Sequence, residues 1–225
     1  QLWYVTPRPG WSDMEAMLRD WVNWNWLSGD HIVEQHMHNI DVINWFTGKH
    51  PVKAVGFGGR HRRRTGDQYD FFSVDFLYDN GMHMHSMCRQ IDGCAGNVSE
   101  RIAGTQGASN CQNKVVDQRG ELLWEYQYPL DETGLSTGQV AVSPYDQEII
   151  DLVGAIRNNT PLNEAEACAI STMTAIMGRI SAYTGKEVTW EEMMNSSLRL
   201  GPAEPAFGPV NIKADVPVPG TGPAA

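Results

Sequence analysis

The sequence predicts an α+β fold: an open, mostly antiparallel β-sheet with helices packed on one face. The first observation behind this prediction is a run of short, turn-separated, strand-like segments at 52–58, 71–78, 82–90, 98–104, 109–115 and 121–127. Short strands that follow one another directly favour antiparallel pairing. The second observation is that apolar residues recur with a helical period before and after this run, over 28–46 and from 149 onwards.

The composition narrows the range of partners. The chain has 225 residues, with Lys+Arg 17 against Asp+Glu 27 and a formal net charge of −10. Nucleic acids and anionic membranes recruit clustered positive charge, so neither is a predicted partner. The one basic run, at 60–64, is predicted to be a solvated loop, and no stretch reaches the roughly 18 apolar residues of a spanning helix. The four cysteines form no Cys-x-x-Cys pair and are predicted to be structural.

Composition also divides the chain into two parts. Residues 1–200 carry the predicted strands and helices and are expected to form one α+β domain. Residues 201–225 are rich in Pro and Gly and are expected to run extended over the surface. Residues 1–5 are strand-like with nothing ahead of them, which predicts that the chain is cut from a longer protein.

No nucleotide-binding fingerprint stands in a usable place. Such a site needs Gly-x-Gly-x-x-Gly between a strand and a helix, because the pyrophosphate approaches bare backbone at the helix N-terminus. Gly56-Phe57-Gly58 follows a predicted strand, but His61 occupies the third glycine position and a basic loop follows. A similar pattern at 220–225 has no helix after it. The sequence therefore predicts that an N-terminal Rossmann domain is absent from these residues.

The clearest turn is Asn80-Gly81, which suits a two-residue hairpin because both residues tolerate positive φ. With that turn, the predicted cross-strand neighbours are Tyr78 and His83, Phe76 and His85, and Phe72 and Arg89. The sheet would then have an aromatic face with basic groups set into it, suited to a polar ligand or to a second copy of the chain. A metal held by His83, His85 and Glu34 is the less favoured alternative, and no metal is predicted.

Residues 28–46 are predicted to form one helix, which Gly48 stops. One face of this helix is apolar, and another carries Glu34 and His38 at i and i+4. A carboxylate one turn from an imidazole can orient it and support its protonated form, as general acid–base catalysis requires. A surface ion pair has the same spacing, so spacing alone leaves both interpretations open. His36 points to a different side of the helix from His38.

The segment 29–48 resembles the helix that opens the C-terminal domain of the Gfo/Idh/MocA oxidoreductases, relatives of glucose-fructose oxidoreductase and inositol dehydrogenase. The family pattern is acid-x-x-x-His-x-x-Asp with a Trp-x-x-Gly ending, and the matching positions are Glu34, His38, Asp41, Trp45 and Gly48. The segments 84–90, 156–165, 171–179 and 183–186 look like the large environmental-bacterial branch of the family. The resemblance extends over most of the chain.

The resemblance implies an open-sheet domain that supports a substrate site and forms a homo-oligomer through its sheet. In the family, the acid and the histidine of this helix lie against the nicotinamide of NAD or NADP. The histidine is the general acid–base for a sugar or polyol hydroxyl, which implies catalytic roles for His38 and Glu34. The side chains expected around the substrate are Trp26, Asp30, His31, Gln35, Asp41, His83, His85 and Arg89.

Two departures from the family pattern stand out. The acid is Glu34 in place of the commoner Asp, and the family's nucleotide domain with its Glu-Lys-Pro lysine has no counterpart in these residues. The predicted function is the substrate-binding and catalytic-helix domain of an NAD(P)-dependent sugar or polyol oxidoreductase, inactive without a cofactor domain. The alternatives are an NAD-dependent glycosidase of the same family and a stand-alone carbohydrate-binding or metal-dependent module.

Overall fold

A computed structural model describes residues 4–221 of the protein. Two compact units make up the chain: the first contains the residues up to Asn97 together with those from Ala167 onwards, and the second is Val98–Glu166. The predicted strand at 1–5 and the glycine pattern at 220–225 lie partly outside the described residues. Tyr4 and Val5, which are described, have no regular secondary structure.

Short helical segments open the first unit: α1 (Asp13–Arg19), a 3-10 turn (Trp21–Asn23), α2 (Asn25–Ser28), α3 (His31–Glu34) and α4 (Met37–Thr47). The predicted single helix over 28–46 is therefore wrong. Gly29 ends α2 with φ +78°, and Gln35 ends α3 with φ −125°. Between them, Asp30 accepts a hydrogen bond from the backbone N–H of His31 and so caps α3. The tertiary contacts of Asp30 override the helical period of the sequence.

The first unit contains a four-stranded antiparallel sheet in the order β3-β2-β1-β8. Its strands are β1 (Pro51–Gly59), β2 (Phe71–Tyr78), β3 (His83–Arg89) and β8 (Val188–Thr189), and β4 to β7 belong to the second unit. Helix α6 (Ala165–Thr184) packs on one face of this sheet, and helix α7 (Trp190–Met194) follows β8. The α+β class and the antiparallel sheet with helices on one face are confirmed.

The β2–β3 hairpin pairs one residue away from the predicted register. Leu77 lies opposite His83, Asp75 opposite His85, and Phe71 opposite Arg89. The loop is three residues long, Asp79-Asn80-Gly81, because the Tyr78 N–H donates to the carbonyl of Met82 at 2.9 Å. Gly81 adopts φ +80° at the end of this loop. Because side chains alternate along a strand, a slip of one residue moves each of them to the other face, so the predicted mixed face is wrong.

The two faces of the sheet differ in burial. The inner face, against α6, carries the buried side chains Phe72, Val74, Phe76, Tyr78 and Met84. The other face, which we call the outer face, carries Lys53, Val55, Phe57, Ser73, Asp75, His83, His85, Met87 and Arg89. The prediction that the chain self-associates through the aromatic face of Phe72, Phe76 and Tyr78 is wrong, because these rings lie in the core.

Two glycines allow α6 to approach β1 closely. A Cβ added to Gly178 would lie 2.7 Å from a ring carbon of Phe76, and one added to Gly56 would lie 2.8 Å from the carbonyl oxygen of Gly178. The Gly56 N–H also donates to the Ser181 hydroxyl at 2.8 Å. Strand and helix backbones therefore touch at this point, and no side chain fits between them.

The second unit is a sequential antiparallel meander followed by a helix. Its elements are β4 (Ile102–Ala103), β5 (Gly107–Ser109), β6 (Lys114–Asp117), β7 (Leu122–Glu125) and α5 (Pro144–Asn158). None of the residues 98–166 is buried, and the apolar residues of α5, including Ile149 and Ile156, are exposed. The unit has strand pairing without a packed core of its own.

Residues 201–221 have no helix or strand, and they run along the first unit. The carbonyl of Gly208 accepts from the Met14 N–H at 3.1 Å, and the Gly220 N–H donates to the carbonyl of Thr184 at 3.0 Å. The carbonyl of Pro217 accepts from the Tyr69 hydroxyl at 2.9 Å. None of the helices over residues 4–221 is both long and apolar enough to cross a membrane.

The contact of α6 with the sheet predicts a large effect of one methyl group. We expect Gly178→Ala to destabilise the first unit by about 1–3 kcal/mol, because the added Cβ meets the buried Phe76 ring. Gly154→Ala is the matched control, since Gly154 lies on α5 with open space around its Cα. Urea unfolding followed by tryptophan fluorescence measures both variants, and equal midpoints would contradict the prediction.

Candidate functional site

Asp30 is a fully buried carboxylate at the junction of α2 and α3. It accepts hydrogen bonds from the backbone N–H groups of His31 (2.6 Å) and Tyr69 (2.9 Å), from His31 Nδ1 (3.0 Å) and from the Tyr183 hydroxyl. Burial alone would raise the pKa of Asp30. The hydrogen bonds and the positive charge of His31 outweigh that cost and lower the pKa below its ordinary value. Asp30 is therefore a charged group inside the protein.

The backbone of Asp30 is strained. Its φ of +73° and ψ of 161° lie in a region that is accessible almost only to glycine. Such a conformation costs of order 1–3 kcal/mol and persists only where surrounding contacts hold it. Here those contacts are the hydrogen bonds to the Asp30 carboxylate from α3, from Tyr69 in the loop before β2 and from α6.

His31 is 2% exposed, and its two ring nitrogens are in different situations. Nδ1 lies 3.0 Å from the Asp30 carboxylate, whereas Nε2 is buried without a hydrogen-bond partner. The ring packs against Phe72 with the centroids 5.2 Å apart. A proton on Nδ1 lets the ring donate to the Asp30 carboxylate.

Glu34 lies on the same side of α3 as His31, three residues further along. Its carboxyl is half-buried and hydrogen-bonded to Gln90. Burial raises the pKa of Glu34 above its ordinary value, and the charges of His31 and Arg63 offset this only in part. A carboxyl with a raised pKa is suited to take up and release a proton closer to neutral pH.

The basic run at 60–64 is only partly solvated, so that prediction is wrong for two of its residues. Arg63 is buried and donates to the carbonyl of Tyr69 at 2.8 Å, to Gln90 Oε1 at 2.7 Å and to Asn23 Oδ1. Arg60 donates to three backbone carbonyls of the same loop. Arg63 thus holds Gln90 beside Glu34 and supplies positive charge there.

His36 faces the inner side of β3. Its Nε2 lies 2.8 Å from the Ser86 hydroxyl. Burial lowers the pKa of His36 to about 4, and the neighbouring charge of His31 acts in the same direction. His36 is therefore neutral at physiological pH and is a structural polar contact between α4 and the sheet.

His38 and Glu34 do not form the pair that the helical spacing predicts. Helix α3 ends at Glu34 and α4 begins at Met37, so the two side chains do not lie on one continuous helix. Over residues 4–221 the structure has no hydrogen bond between them. His38 is exposed, as is Gln35 at the break, and both can be reached from solvent.

Several side chains that were expected around the substrate are buried or paired with other residues. Asp30 and His31 are too deeply buried to touch a substrate in this conformation. Asp41 accepts from the Ser171 hydroxyl at 2.6 Å and so joins α4 to α6. The Trp26 ring packs beside Gly201, and its Nε1 is buried without a partner. Direct substrate contact by Asp30 and His31 therefore stays a prediction, which the buried positions of both side chains do not favour.

His83, His85 and Arg89 lie on the outer face, opposite the side that carries Ser86 and the core. His83 Nδ1 pairs with Asp75 at 2.8 Å, His85 Nε2 lies 3.0 Å from the Ser73 hydroxyl, and Arg89 donates to the carbonyl of Ala95. Their expected place beside the aromatic rings depended on the wrong hairpin register. They do not lie with Glu34.

Sequence reasoning missed Gln90, Ser86 and Tyr183, which all touch site residues. Ser86 stands between His85 and Met87, so a three-residue loop after Tyr78 would have turned it inwards. The triplet Asp79-Asn80-Gly81 was the available signal, because a glycine at the third loop position suits that turn. No local signal identifies Tyr183, which lies 153 residues from Asp30.

The described residues do not suit a metal or the nucleotide half of NAD(P). Over 4–221, no three His, Cys, Asp or Glu side chains are placed to hold a metal ion together. Gly56 and Gly58 lie within β1, where added Cβ atoms would strike α6 and Tyr69. They are packing glycines within a strand, not a turn that leads into a helix.

Comparisons with known proteins agree with this architecture. A family model described as the GFO/IDH/MocA C-terminal domain matches residues 4–109. This match over residues 4–109 confirms the resemblance seen in the sequence motifs. No curated protein matches the sequence.

Solved structures share the fold at low sequence identity. An oxidoreductase from Thermotoga maritima has a TM-score of 0.56 at 17% identity, with 84% of this chain and 52% of that chain covered. Aldose-aldose oxidoreductase from Caulobacter crescentus, complexed with glycerol, has a TM-score of 0.53 at 15% identity, with 75% of this chain and 50% of that chain covered. UDP-N-acetylglucosamine 3-dehydrogenase from Acidithiobacillus ferrooxidans has a TM-score of 0.51 at 16% identity, with 70% of this chain and 48% of that chain covered. The chain spans about half the length of these structures.

The depressed pKa of His36 predicts a pH-dependent stability. Unfolded His36 binds a proton below about pH 6.5, whereas folded His36 binds it only near pH 4. Between these values the unfolded state binds more protons, so stability falls as the pH falls, by up to about 3 kcal/mol.

His36→Gln should flatten this dependence, because glutamine does not titrate. The control is His38→Gln, which changes an exposed histidine of the same segment. The free energy of unfolding in urea is measured for each protein between pH 6.5 and pH 4. An unchanged slope in His36→Gln would show that His36 is not the group responsible.

Proposed function

We propose that this chain is the substrate side of an NAD(P)-dependent oxidoreductase that acts on sugar or polyol hydroxyls. The observation that carries the proposal is Glu34, a half-buried carboxyl of raised pKa inside the segment that matches the GFO/IDH/MocA C-terminal domain. The names of the solved structures that share the fold include a sugar oxidoreductase complexed with glycerol and a nucleotide-sugar dehydrogenase. Those names support a carbohydrate substrate.

In this proposal the chain's own residues handle the hydroxyl proton. NAD(P), held by residues outside this chain, would supply the acceptor for the hydride. His38 is exposed just after the break between α3 and α4, so a substrate that approaches the break from solvent can contact it. In this proposal His38 takes the hydroxyl proton as general base, and Glu34 is a second group near the break that can exchange a proton.

Replacing His38 should lower turnover while leaving the fold intact. We expect His38→Asn to reduce kcat by at least about a hundredfold, as loss of a general base typically does. The variant is assayed with NAD+ and NADP+ against inositols and aldoses, in a protein that includes whatever sequence precedes Gln1 in the gene.

The matched control is His61→Asn, which replaces another exposed histidine of the first unit and should keep kcat near the wild-type value. Melting temperatures of both variants separate a catalytic effect from a structural one. Equal, small losses of kcat would remove His38 from the mechanism.

We also propose that the outer face forms a homo-oligomeric contact. Phe57 is 69% exposed and Met87 is 66% exposed, and they lie on either side of Ser73 in one row across the sheet. Val55, two residues from Phe57 on β1, is exposed as well. Adjacent exposed apolar side chains on a sheet are typical of an interaction surface.

Placing a charge in this row should break the oligomer. We expect the wild-type chain to sediment with at least twice its mass of 25.1 kDa and Phe57→Asp to sediment as a monomer. Phe207→Asp is the control, since Phe207 is a similarly exposed ring outside the sheet. A monomeric wild-type chain, or two variants that behave alike, would contradict the proposal.

A further inference from the structure

Helix α4 carries two polar side chains that face α6, and the proposed reaction gives neither of them a role. Asp41 and Asn44 stand at i and i+3, so they lie on one side of α4. Ser171 and Thr174 have the same spacing on α6. Asn44, Ser171 and Thr174 are buried, and Asp41 is half-buried. The two helices therefore meet through polar side chains inside the protein.

Hydrogen bonds connect these side chains to one another and to the sheet. Asn44 Nδ2 donates to the hydroxyl of Ser171 at 3.3 Å and to that of Thr174 at 3.2 Å. The Ser171 hydroxyl donates in turn to Asp41 Oδ1 at 2.6 Å. From β2, the Tyr78 hydroxyl donates to Asn44 Oδ1 at 2.7 Å. We call this group of five residues the α4 latch.

The α4 latch allows one rotational position of α4. Apolar contacts, such as those of the buried Ile40, are not directional and tolerate small rotations. A rotation by one residue position turns the side chains by about 100° and would separate Asn44 from all its partners. Leaving buried polar groups unpaired is costly. Burial also raises the pKa of Tyr78, so its hydroxyl keeps its proton and stays a donor.

We propose that Asp41, Asn44 and Ser171 are positioning residues that fix the rotation of α4 and thereby the direction in which His38 points. His38 stands three residues before Asp41 on the same continuous helix of 11 residues. A rotation that is fixed at Asp41 and Asn44 is therefore fixed at His38 as well. A general base must be aligned with the proton it takes, and a small misplacement can cost a large part of the rate.

The first measurement uses the chain as it stands and needs no substrate. Residual dipolar couplings of the backbone N–H groups report the orientation of α4 relative to the sheet, and amide hydrogen exchange reports how often α4 opens. Ser171→Ala removes the donor to Asp41 and one acceptor for Asn44. We expect altered α4 couplings and α4 exchange at least about tenfold faster, with β1 and β2 unchanged. Wild-type values for α4 in a folded Ser171→Ala variant would overturn the proposal.

Thr172→Ala is the matched control on α6. The Thr172 hydroxyl donates only within its own helix, to the carbonyl of Cys168 at 2.7 Å. The α4 couplings should stay unchanged in this variant, and a change as large as in Ser171→Ala would also overturn the proposal. Should Ser171→Ala fail to fold, Asp41→Ala breaks the same hydrogen bond from the half-buried side and carries the same expectation.

The second measurement separates positioning from direct contact with the substrate. Ser171 is 1% exposed and cannot touch a substrate, so its loss should lower kcat and leave KM near the wild-type value. In the protein that includes whatever sequence precedes Gln1 in the gene, we expect Ser171→Ala and Asp41→Ala each to lower kcat by about tenfold. The double variant should be no worse than either, because both changes break one hydrogen bond. Losses that multiply, or a raised KM in Asp41→Ala alone, would assign Asp41 to the substrate and overturn the proposal.

This inference rests on the proposed function, in which His38 is the general base. The dipolar couplings and the exchange rates need neither cofactor nor substrate, so the two proposals fail separately. Absence of dehydrogenase activity in the wild type would count against the proposed function and leave the orientation of α4 as measured. Unchanged α4 couplings in Ser171→Ala would remove the α4 latch and leave the oxidoreductase assignment to its own assay.

Discussion

The buried carboxylate of Asp30 is the constraint on which the rest of the first unit depends. It ties together α3 through His31, the entry to β2 through the Tyr69 N–H, and α6 through the Tyr183 hydroxyl. An ionised carboxylate inside a protein is costly unless hydrogen bonds and opposite charge compensate for lost hydration. The chain meets this need by leaving the helical path at Asp30 and accepting a strained backbone there.

Helix α6 supports the same junction a second time through Arg179. This buried guanidinium donates to the carbonyl of Gly29 at 3.0 Å, and four residues later the Tyr183 hydroxyl reaches Asp30. Residues i and i+4 lie on one face of a helix, so one side of α6 contacts both Gly29 and Asp30 at the junction between α2 and α3. The junction between α2 and α3 is therefore held by specific contacts. It sets the position of α3, which carries His31 and Glu34.

The sequence was most informative where the signals are local. Turn-separated strands with a following helical period predict the antiparallel sheet and its helical layer, because both patterns are set by neighbours along the chain. The sequence did not reveal the helix interruption at Asp30, because Asp30 is stabilised by Tyr69 and Tyr183, which lie far away in the sequence. A good helical period continues through residues 28–46 regardless.

The candidate site was only partly predictable, because its residues come from parts of the sequence that lie far apart. Glu34 was identified from the motif, but its partners Arg63 and Gln90 come from a loop and a strand end. The hairpin error shows how much depends on one loop residue. A loop of three residues in place of two moved His83 and His85 from the predicted ligand side to the opposite side of the sheet.

The contact between Pro217 and Tyr69 has a consequence for how the protein is made. The Tyr69 hydroxyl finds its acceptor 148 residues later, and β1 finds β8 more than a hundred residues along the chain. These contacts cannot exist until the ribosome has synthesised residues 188–217. The meander of the second unit needs only neighbouring strands, and local contacts form fastest. The first unit therefore completes its packing only in the later part of synthesis.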